Sequence, residues 1–136
     1  MFKEIFMSNI PASIATFGLC LYFLGMFFTF AFKPLKFCEK FAVKPVDNAG
    51  ITEIRVYYGG ISLALAGFLA FLWGMGYPMF SLIGGLFFSN VVFFTRTIFT
   101  FVDKGWKCPY TKLAIPAEGG FIVALWICFI LAKVLY

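Results

Sequence analysis

The sequence of 136 residues contains no histidine, and charged residues make up only 12% of it. The lack of histidine removes the usual axial ligand of haem, the commonest zinc ligand and the usual general base at neutral pH. The four cysteines form no CxxC pair, so the chain also lacks a common motif of thiol redox chemistry. We therefore expect neither a metal site nor a bound cofactor.

Apolar residues, by contrast, make up 62% of the chain, and 21 of its residues are phenylalanine. A soluble domain averages about half apolar and about one quarter charged residues. A water-soluble fold of this length, which has room for one domain, could not cover so much apolar surface. The composition therefore predicts an integral membrane protein.

The apolar residues fall into four stretches, each long enough for a helix that crosses the bilayer, which takes about 20 residues. One charge-free run covers residues 5–32, and a longer one covers residues 56–95. The longer run has room for two helices, and the glycines and proline at 74–78 mark a turn within it. We predict an all-α bundle of four transmembrane helices in a single domain, over residues 12–32, 51–73, 78–101 and 113–135.

Most of the 11 basic residues lie in or beside the two predicted polar loops, on one side of the bundle. Only Lys3 and Lys133 lie on the other side. Because basic residues concentrate in cytoplasmic loops, both loops should face the cytoplasm and both termini the outside. Their placement beside apolar runs also indicates contact with anionic lipid head groups and argues against nucleic-acid binding. The residues on the loop side are Lys33, Lys36, Lys40, Lys44, Arg55, Arg96, Lys104, Lys107 and Lys112.

Four charged residues lie within the predicted helices: Glu53, Arg55, Arg96 and Glu118. A fourth helix that began after Glu118 would be too short to cross the bilayer, so this helix must carry the carboxylate inside. Counted from the helix ends, Glu53, Arg96 and Glu118 each lie about 9–10 Å inside the cytoplasmic edge. A lone charge at the bilayer centre costs about 2.5–3.5 kcal/mol on insertion scales. We therefore expect the two acids and two arginines to form one buried layer that links the second, third and fourth helices.

Small residues recur at helical spacing in all four predicted helices, which is typical of closely packed membrane helices. We expect these stripes to face the bundle interior, with phenylalanine and leucine facing lipid. The stripes are Ala15, Gly18, Tyr22, Gly25 and Thr29; Glu53, Tyr57, Gly60, Ala64 and Gly67; Gly85, Ser89, Val92 and Arg96; and Ala117, Gly120, Ala124 and Cys128. The glycines expected at helix contacts are Gly59, Gly60, Gly85, Gly119 and Gly120.

The charged layer has more than one interpretation. In a structural interpretation, its Glu–Arg pairs serve only to fix the helix register, with the arginines reaching towards lipid phosphates. Alternatively, the layer forms a polar vestibule above an aromatic, apolar cleft that binds an amphipathic molecule such as a lipid, an isoprenoid or a quinone. Tyr57 and Tyr58 would then add hydroxyl donors. A third interpretation is catalytic, with Glu53 or Glu118 acting as acid or base.

The start of the second predicted helix also carries a recognisable pattern, E-x-R-x-x-Y-G-G. It resembles the signature of a bacterial four-span membrane family known only as a domain of unknown function. An arginine late in the third helix and a glutamate early in the fourth also recur in that family, and Arg96 and Glu118 fit these positions. The residues that match the pattern itself are Glu53, Arg55, Tyr58, Gly59 and Gly60.

More distantly, the chain is similar to DoxX-like four-helix proteins, some of which are associated with quinol-oxidase or redox systems. The resemblance implies a multi-pass protein of the bacterial inner (cytoplasmic) membrane and brings no assigned activity. We expect a non-enzymatic accessory subunit or a binder of a lipid-like or quinone molecule. The alternatives are a membrane enzyme that acts on a lipid or quinone, and an oligomeric transporter or channel. The expected partners are membrane lipid and either further copies of the chain or a larger membrane complex.

Overall fold

The computed structural model describes all residues from Met1 to Tyr136 and contains helices but no strand. Four of its helices are long and apolar enough to cross a membrane. This confirms the predicted all-α, four-helix membrane bundle. In chain order the helices are α1 (Phe2–Ser8), α2 (Ile10–Phe32), α3 (Pro34–Cys38), α4 (Asn48–Gly74), α5 (Pro78–Val102) and α6 (Pro109–Leu135).

Three of the four long helices, α2, α4 and α6, begin earlier than predicted because polar residues and prolines beside the apolar runs start them. The Asn9 side chain accepts a hydrogen bond from the Ala12 N–H at 3.1 Å at the start of α2. The Asp47 side chain accepts one from the Gly50 N–H at 2.8 Å at the start of α4. In α6, Pro109 occupies the first turn, where its missing N–H leaves no helical hydrogen bond unmade.

Helices α2 and α5 form the centre of the bundle, since they contact each other and both also contact α4 and α6. Helices α4 and α6 share no extended contact with each other. The two polar loops lie at one end of the bundle, called the loop end below. The short turn around Gly76, which has a φ of 86°, lies at the opposite, turn end. Helix α1 packs at the turn end, where the ring of Phe2 contacts the rings of Phe17 and Trp73.

Buried hydroxyl groups join three helices at the turn end. The indole Nε1–H of Trp73 donates to Ser13 Oγ at 2.9 Å. The Thr16 hydroxyl donates to Ser81 Oγ at 3.0 Å, and the Ser81 hydroxyl donates to the Leu69 carbonyl at 3.0 Å. Such bonds between membrane helices contribute only about 0.6 kcal/mol each on average. Their main effect here is to fix the register of α2, α4 and α5.

Helix α4 contains a π-helical turn over Arg55–Gly60, and the Ile61 N–H bonds the Val56 carbonyl five residues earlier. A π-helical turn is an insertion of one residue into an α-helix, and one residue corresponds to about 100° of rotation. In a regular α-helix Ile54 would point away from the buried face of α4. The inserted residue rotates Ile54 onto that face. The same buried face continues with Ser62, Ala66, Leu69 and Trp73.

A small second core closes the loop end. It contains Phe30, Cys38 and Ile54, with Phe41 packed against them. Cys38 lies on α3 and is 1% exposed, and burial raises the pKa of its thiol, so that it packs as a small apolar side chain. The first predicted loop is therefore partly helical and folds back over the bundle.

The predicted inward faces are correct for α5 but wrong for α4 and α6. On α5, Gly85 is buried, and Ser89, Val92 and Arg96 are partly buried. The predicted stripe on α4 from Glu53 to Gly67 is exposed throughout. On α6 the predicted stripe is exposed at Gly120 and Ala124, and at Ala117 it borders a cleft described below. The buried residues of α6 are Ala114, Ile122, Leu125 and Ala132.

Helix α2 is intermediate, because Ala15 of its predicted stripe is buried whereas Tyr22 and Gly25 are exposed. The physical reason is common to all these helices. A lipid-facing surface is as apolar as a packed one, so hydrophobic periodicity does not separate the two. In this bundle Leu and Phe side chains, rather than only small residues, fill the interior.

Candidate ligand-binding cleft

Arg96 on α5 and Glu118 on α6 form an ion pair between neighbouring helices. The Nε–H of Arg96 donates to both carboxylate oxygens of Glu118, each at 2.8 Å. Two opposite charges that share a hydrogen bond can lie within membrane-crossing helices far more readily than either charge alone. The pair brings together two of the predicted site residues.

A cleft of about 410 Å³ lies beside this pair, between α2, α5 and α6. Ligand sites in proteins are typically about 300–1,000 Å³ in volume and mainly apolar. Most of the lining is hydrophobic, and the polar exceptions are a carboxylate and hydroxyl groups, from Glu118, Tyr22, Ser89 and Tyr110. The aromatic residues in the lining are Tyr22, Phe23, Phe41, Phe88, Tyr110 and Phe121.

The carboxylate of the ion pair belongs to the cleft wall, whereas the arginine lies behind it. Glu118 lines the cleft and 23% of its side chain is exposed. The Arg96 guanidinium lies over the ring of Tyr110, 5.5 Å from the ring centre, and Tyr110 in turn lines the cleft. An ionised carboxylate has about four acceptor positions, and the single N–H from Arg96 leaves others free. Glu118 can therefore accept a hydrogen bond from a molecule in the cleft.

A row of aromatic rings connects the cleft with the start of α4. The ring of Tyr58 lies 5.1 Å from that of Phe30, which lies 5.1 Å from that of Phe41. The Phe41 ring lies 5.0 Å from that of Tyr110, the ring beneath Arg96. Phe41 and Tyr110 belong to the cleft lining, and Tyr58 does not. The E-x-R-x-x-Y-G-G segment therefore touches the cleft only indirectly, through side chains of α2 and the first loop.

The expected layer of four charges is not present, and this prediction is wrong for α4. Glu53 is exposed and forms no ion pair with either arginine. Arg55 is also exposed, and its Nη1 donates to the Ala31 carbonyl at 2.9 Å. That carbonyl lies in the last turn of α2, where a basic group stabilises unpaired carbonyls and the negative end of the helix dipole. Because α4 and α6 share no extended contact, neither residue approaches Glu118.

Tyr57 and Tyr58 also lie outside the cleft. Tyr57 is exposed on α4, with 62% of its surface accessible. The ring of Tyr58 packs on that of Phe30, and Tyr58 is not part of the cleft lining. The hydroxyl groups of the cleft come from Tyr22, Ser89 and Tyr110 instead.

The five glycines expected at helix contacts divide into two groups. A methyl group on Gly85 would collide with the Leu19 side chain, and one on Gly59 would lie 3.4 Å from the Ala31 backbone nitrogen. A methyl group on Gly119 would lie 3.5 Å from the ring of Phe93. Gly60 and Gly120 meet no neighbouring helix. The expectation is thus correct for Gly59, Gly85 and Gly119 and wrong for Gly60 and Gly120.

Sequence reasoning missed several residues of the cleft. Tyr110 and Phe41 both lie in segments that were expected to be loops. The signals that could have indicated them are local. Tyr110 follows Pro109, which starts α6 four residues before the predicted boundary, and Phe41 follows the short helix α3 that begins at Pro34. Prolines next to apolar runs therefore extend the helices into the region that covers the cleft.

The fold and the cleft together define a multi-pass membrane protein, a four-helix bundle with an aromatic pocket that ends at a Glu–Arg pair. Neither a protein-family model nor a curated protein nor a solved structure matches the chain. The resemblance to the bacterial domain of unknown function and to DoxX-like proteins stays a prediction. The function is therefore argued from the cleft itself.

Proposed function

We propose that the protein is a non-enzymatic membrane protein that binds an amphipathic, lipid-like molecule, with isoprenoids and quinone-type molecules as the leading classes. The apolar part of the guest would occupy the aromatic cleft between α2, α5 and α6, and its polar end would lie at Glu118. The observation that carries the proposal is the position of Glu118, a paired but accessible carboxylate in the wall of an otherwise mainly apolar cleft.

A purely structural role accounts for the ion pair but not for the space beside it. A pair that only fixes the register of α5 and α6 needs no adjoining cavity, and the interior of a membrane bundle is normally filled by side chains. The turn end of this bundle is packed in that way, with Leu19 and Leu82 fully buried. The cleft at the loop end therefore favours a binding role.

The enzymatic alternative, with Glu118 as acid or base, is less well supported. Both oxygens of this carboxylate accept the Arg96 N–H, so Glu118 would have to weaken this bond in order to exchange a proton. No specific observation favours the third alternative, an oligomeric transporter or channel. The binding proposal needs only the arrangement already described.

We propose a location in the bacterial inner membrane, and the distribution of basic residues supports an orientation with the loop end in the cytoplasm. In that orientation the cleft would open towards the inner leaflet. Its guest would then be a component of that leaflet, and the guest would reach the cleft without crossing the membrane.

The proposal is tested by filling the cleft with a large side chain at a lining position that is not a member of the Arg96–Glu118 ion pair. Ala117 lines the cleft on α6, and Ala124 is exposed on the same helix seven residues later, outside the cleft. The variants Ala117→Phe and Ala124→Phe add the same ring to the same helix. The proteins are placed in nanodiscs of total bacterial lipid extract, and co-purified molecules are counted by native mass spectrometry.

We expect the wild-type protein and Ala124→Phe to retain a lipid-like molecule, and Ala117→Phe to lose at least about tenfold in occupancy because the ring takes the guest's space. A wild-type protein without a retained molecule would contradict the proposal. Equal retention by the two variants would also contradict it, because the retained molecule would then lie elsewhere.

A further inference from the structure

We infer that the guest is a neutral amphiphile whose polar end is a hydroxyl group, such as a prenyl or other long-chain alcohol or a quinol. The inference rests on the proposed function and names the chemical class of its ligand. It depends on the polar atoms that the cleft offers.

The strongest polar group in the cleft wall is a hydrogen-bond acceptor. An ionised carboxylate can accept hydrogen bonds but cannot donate them. Glu118 pairs with Arg96, and its side chain, which is 23% exposed, lines the cleft. A guest that satisfies it must therefore carry a donor, and a hydroxyl group is the donor that amphipathic membrane molecules most simply provide. An ether, an ester or an oxidised quinone has only acceptors.

The charge of the site favours a neutral guest. Arg96 balances the charge of Glu118, so the pair as a whole attracts neither an anion nor a cation strongly. A carboxylate or phosphate in the cleft would meet Glu118 first, because Glu118 lines the cleft and Arg96 does not. A cation would gain from the aromatic faces but would meet a carboxylate that Arg96 has already neutralised.

The other polar groups of the cleft fit the same class of guest. Tyr22, Ser89 and Tyr110 line the cleft, and each of them carries a hydroxyl group. A hydroxyl group both donates and accepts. The guest's oxygen can therefore donate to Glu118 and accept from one of these three side chains.

The test uses four molecules that share one tail and differ only at the polar end. They are farnesol, farnesyl methyl ether, farnesoic acid and farnesylamine, which present a hydroxyl donor, an acceptor only, an anion and a cation. Binding to the wild-type protein in detergent micelles is titrated for each molecule by native mass spectrometry. We expect farnesol to bind about tenfold or more tightly than each of the others, since a hydrogen bond to a charged group is worth about that factor.

The outcomes separate the inference from the proposed function. Ether binding within about threefold of farnesol, or tighter binding of the acid or the amine, would overturn the hydroxyl class and leave lipid binding standing. Absence of binding by all four molecules would overturn the inference and count against the cleft as a site for prenyl lipids. Retention of native lipid in the Ala117 experiment then decides whether the proposed function survives.

A variant identifies the acceptor. In the double variant Arg96→Leu with Glu118→Leu, both charges are removed together, so neither is left unpaired in the membrane. We expect the preference for farnesol over its methyl ether to fall from about tenfold to below about threefold. An undiminished preference would overturn the assignment of Glu118. Where the double variant does not fold, the wild-type series alone decides the ligand class.

Discussion

The Leu19 side chain on α2 occupies the space that a methyl group on Gly85 of α5 would need. Leu19 is 0% exposed and belongs to the main core, so it cannot turn aside into open space. Gly120 on α6 provides a contrast, because a methyl group there would meet nothing within 4 Å. Both glycines lie within long apolar helices, and they differ in the side chains that surround them.

We predict that Gly85→Ala lowers the free energy of unfolding by about 1–3 kcal/mol, the usual cost of overpacking. Gly120→Ala should change it by less than about 0.5 kcal/mol, as expected at an exposed position. Unfolding by sodium dodecyl sulfate in mixed micelles measures both. Similar losses in the two variants would contradict this account, because alanine has a higher helix propensity than glycine and a methyl group at Gly120 meets no neighbour.

Of the two glutamates within the predicted helices, one was correctly predicted to have a partner in the bundle and the other was not. Glu118 could not leave the membrane without making the fourth helix too short, and the structure pairs it with Arg96. Glu53 was placed by the same counting of residues. Helix α4, however, begins at Asn48 and is 27 residues long, about 40 Å, which exceeds the hydrocarbon thickness of about 30 Å. Its first turns can therefore extend beyond the hydrocarbon, and Glu53 needs no buried partner.

At the scale of single helices, the π-helical turn of α4 decides which side chains are buried. It covers Arg55–Gly60, the last six residues of the E-x-R-x-x-Y-G-G pattern. The inserted residue lets Ile54 pack in the loop-end core while Leu69 and Trp73 pack in the main core. Hydrophobic periodicity in the sequence does not predict this change of the buried face, because it assumes 3.6 residues per turn throughout the helix.

Deletion of one residue tests this account of α4. Val56 lies within the π-helical turn and Leu63 within the regular helix, and both are exposed. Removal of Val56 should convert the turn into regular α-helix and keep both buried faces aligned. Removal of Leu63 should rotate the two parts of α4 by about 100° against each other and expose Ile54 or the residues of the main core.

We expect the Leu63 deletion to lower the free energy of unfolding by about 2–5 kcal/mol, the range for losing a large buried side chain, and the Val56 deletion by less than half as much. The same unfolding assay in mixed micelles compares them. Equal losses would show that the π-helical turn does not act as an insertion.

The number and placement of the four helices could be predicted from the sequence, whereas the orientation of α4 and α6 about their axes could not. Charge-free runs and turn residues mark where a helix must lie, because the bilayer excludes unpaired polar groups. The face that a helix turns inward depends on its neighbours. Gly60, Ala64 and Gly67 form a stripe suited to close packing, yet it is exposed, and Ser62, Ala66 and Leu69 are buried instead.

For the whole molecule, the asymmetry of basic residues predicts a definite orientation in the membrane. Val46 lies in the first loop and is 100% exposed, and Tyr136 lies at the other end of the bundle and is 55% exposed. In a variant whose four native cysteines are replaced by alanine, Val46→Cys and Tyr136→Cys report on the two ends. On spheroplasts, an impermeant maleimide should label Tyr136→Cys at once and Val46→Cys only after permeabilisation. The reverse pattern would place the cleft in the outer leaflet.

The crossing of α2 and α5 at Leu19 and Gly85 also sets the floor of the cleft. Towards the turn end the interior is filled by Leu19, Leu82 and Leu86, and the cleft walls end near Phe23, Phe88 and Ile122. A hydrocarbon chain longer than the cleft would have no channel along the bundle axis and would have to pass sideways between helices into the surrounding lipid. Such a pocket would recognise the polar end of a molecule and would not select for the length of its tail. Membrane molecules with the same terminal group and tails of very different length would then be equivalent to it.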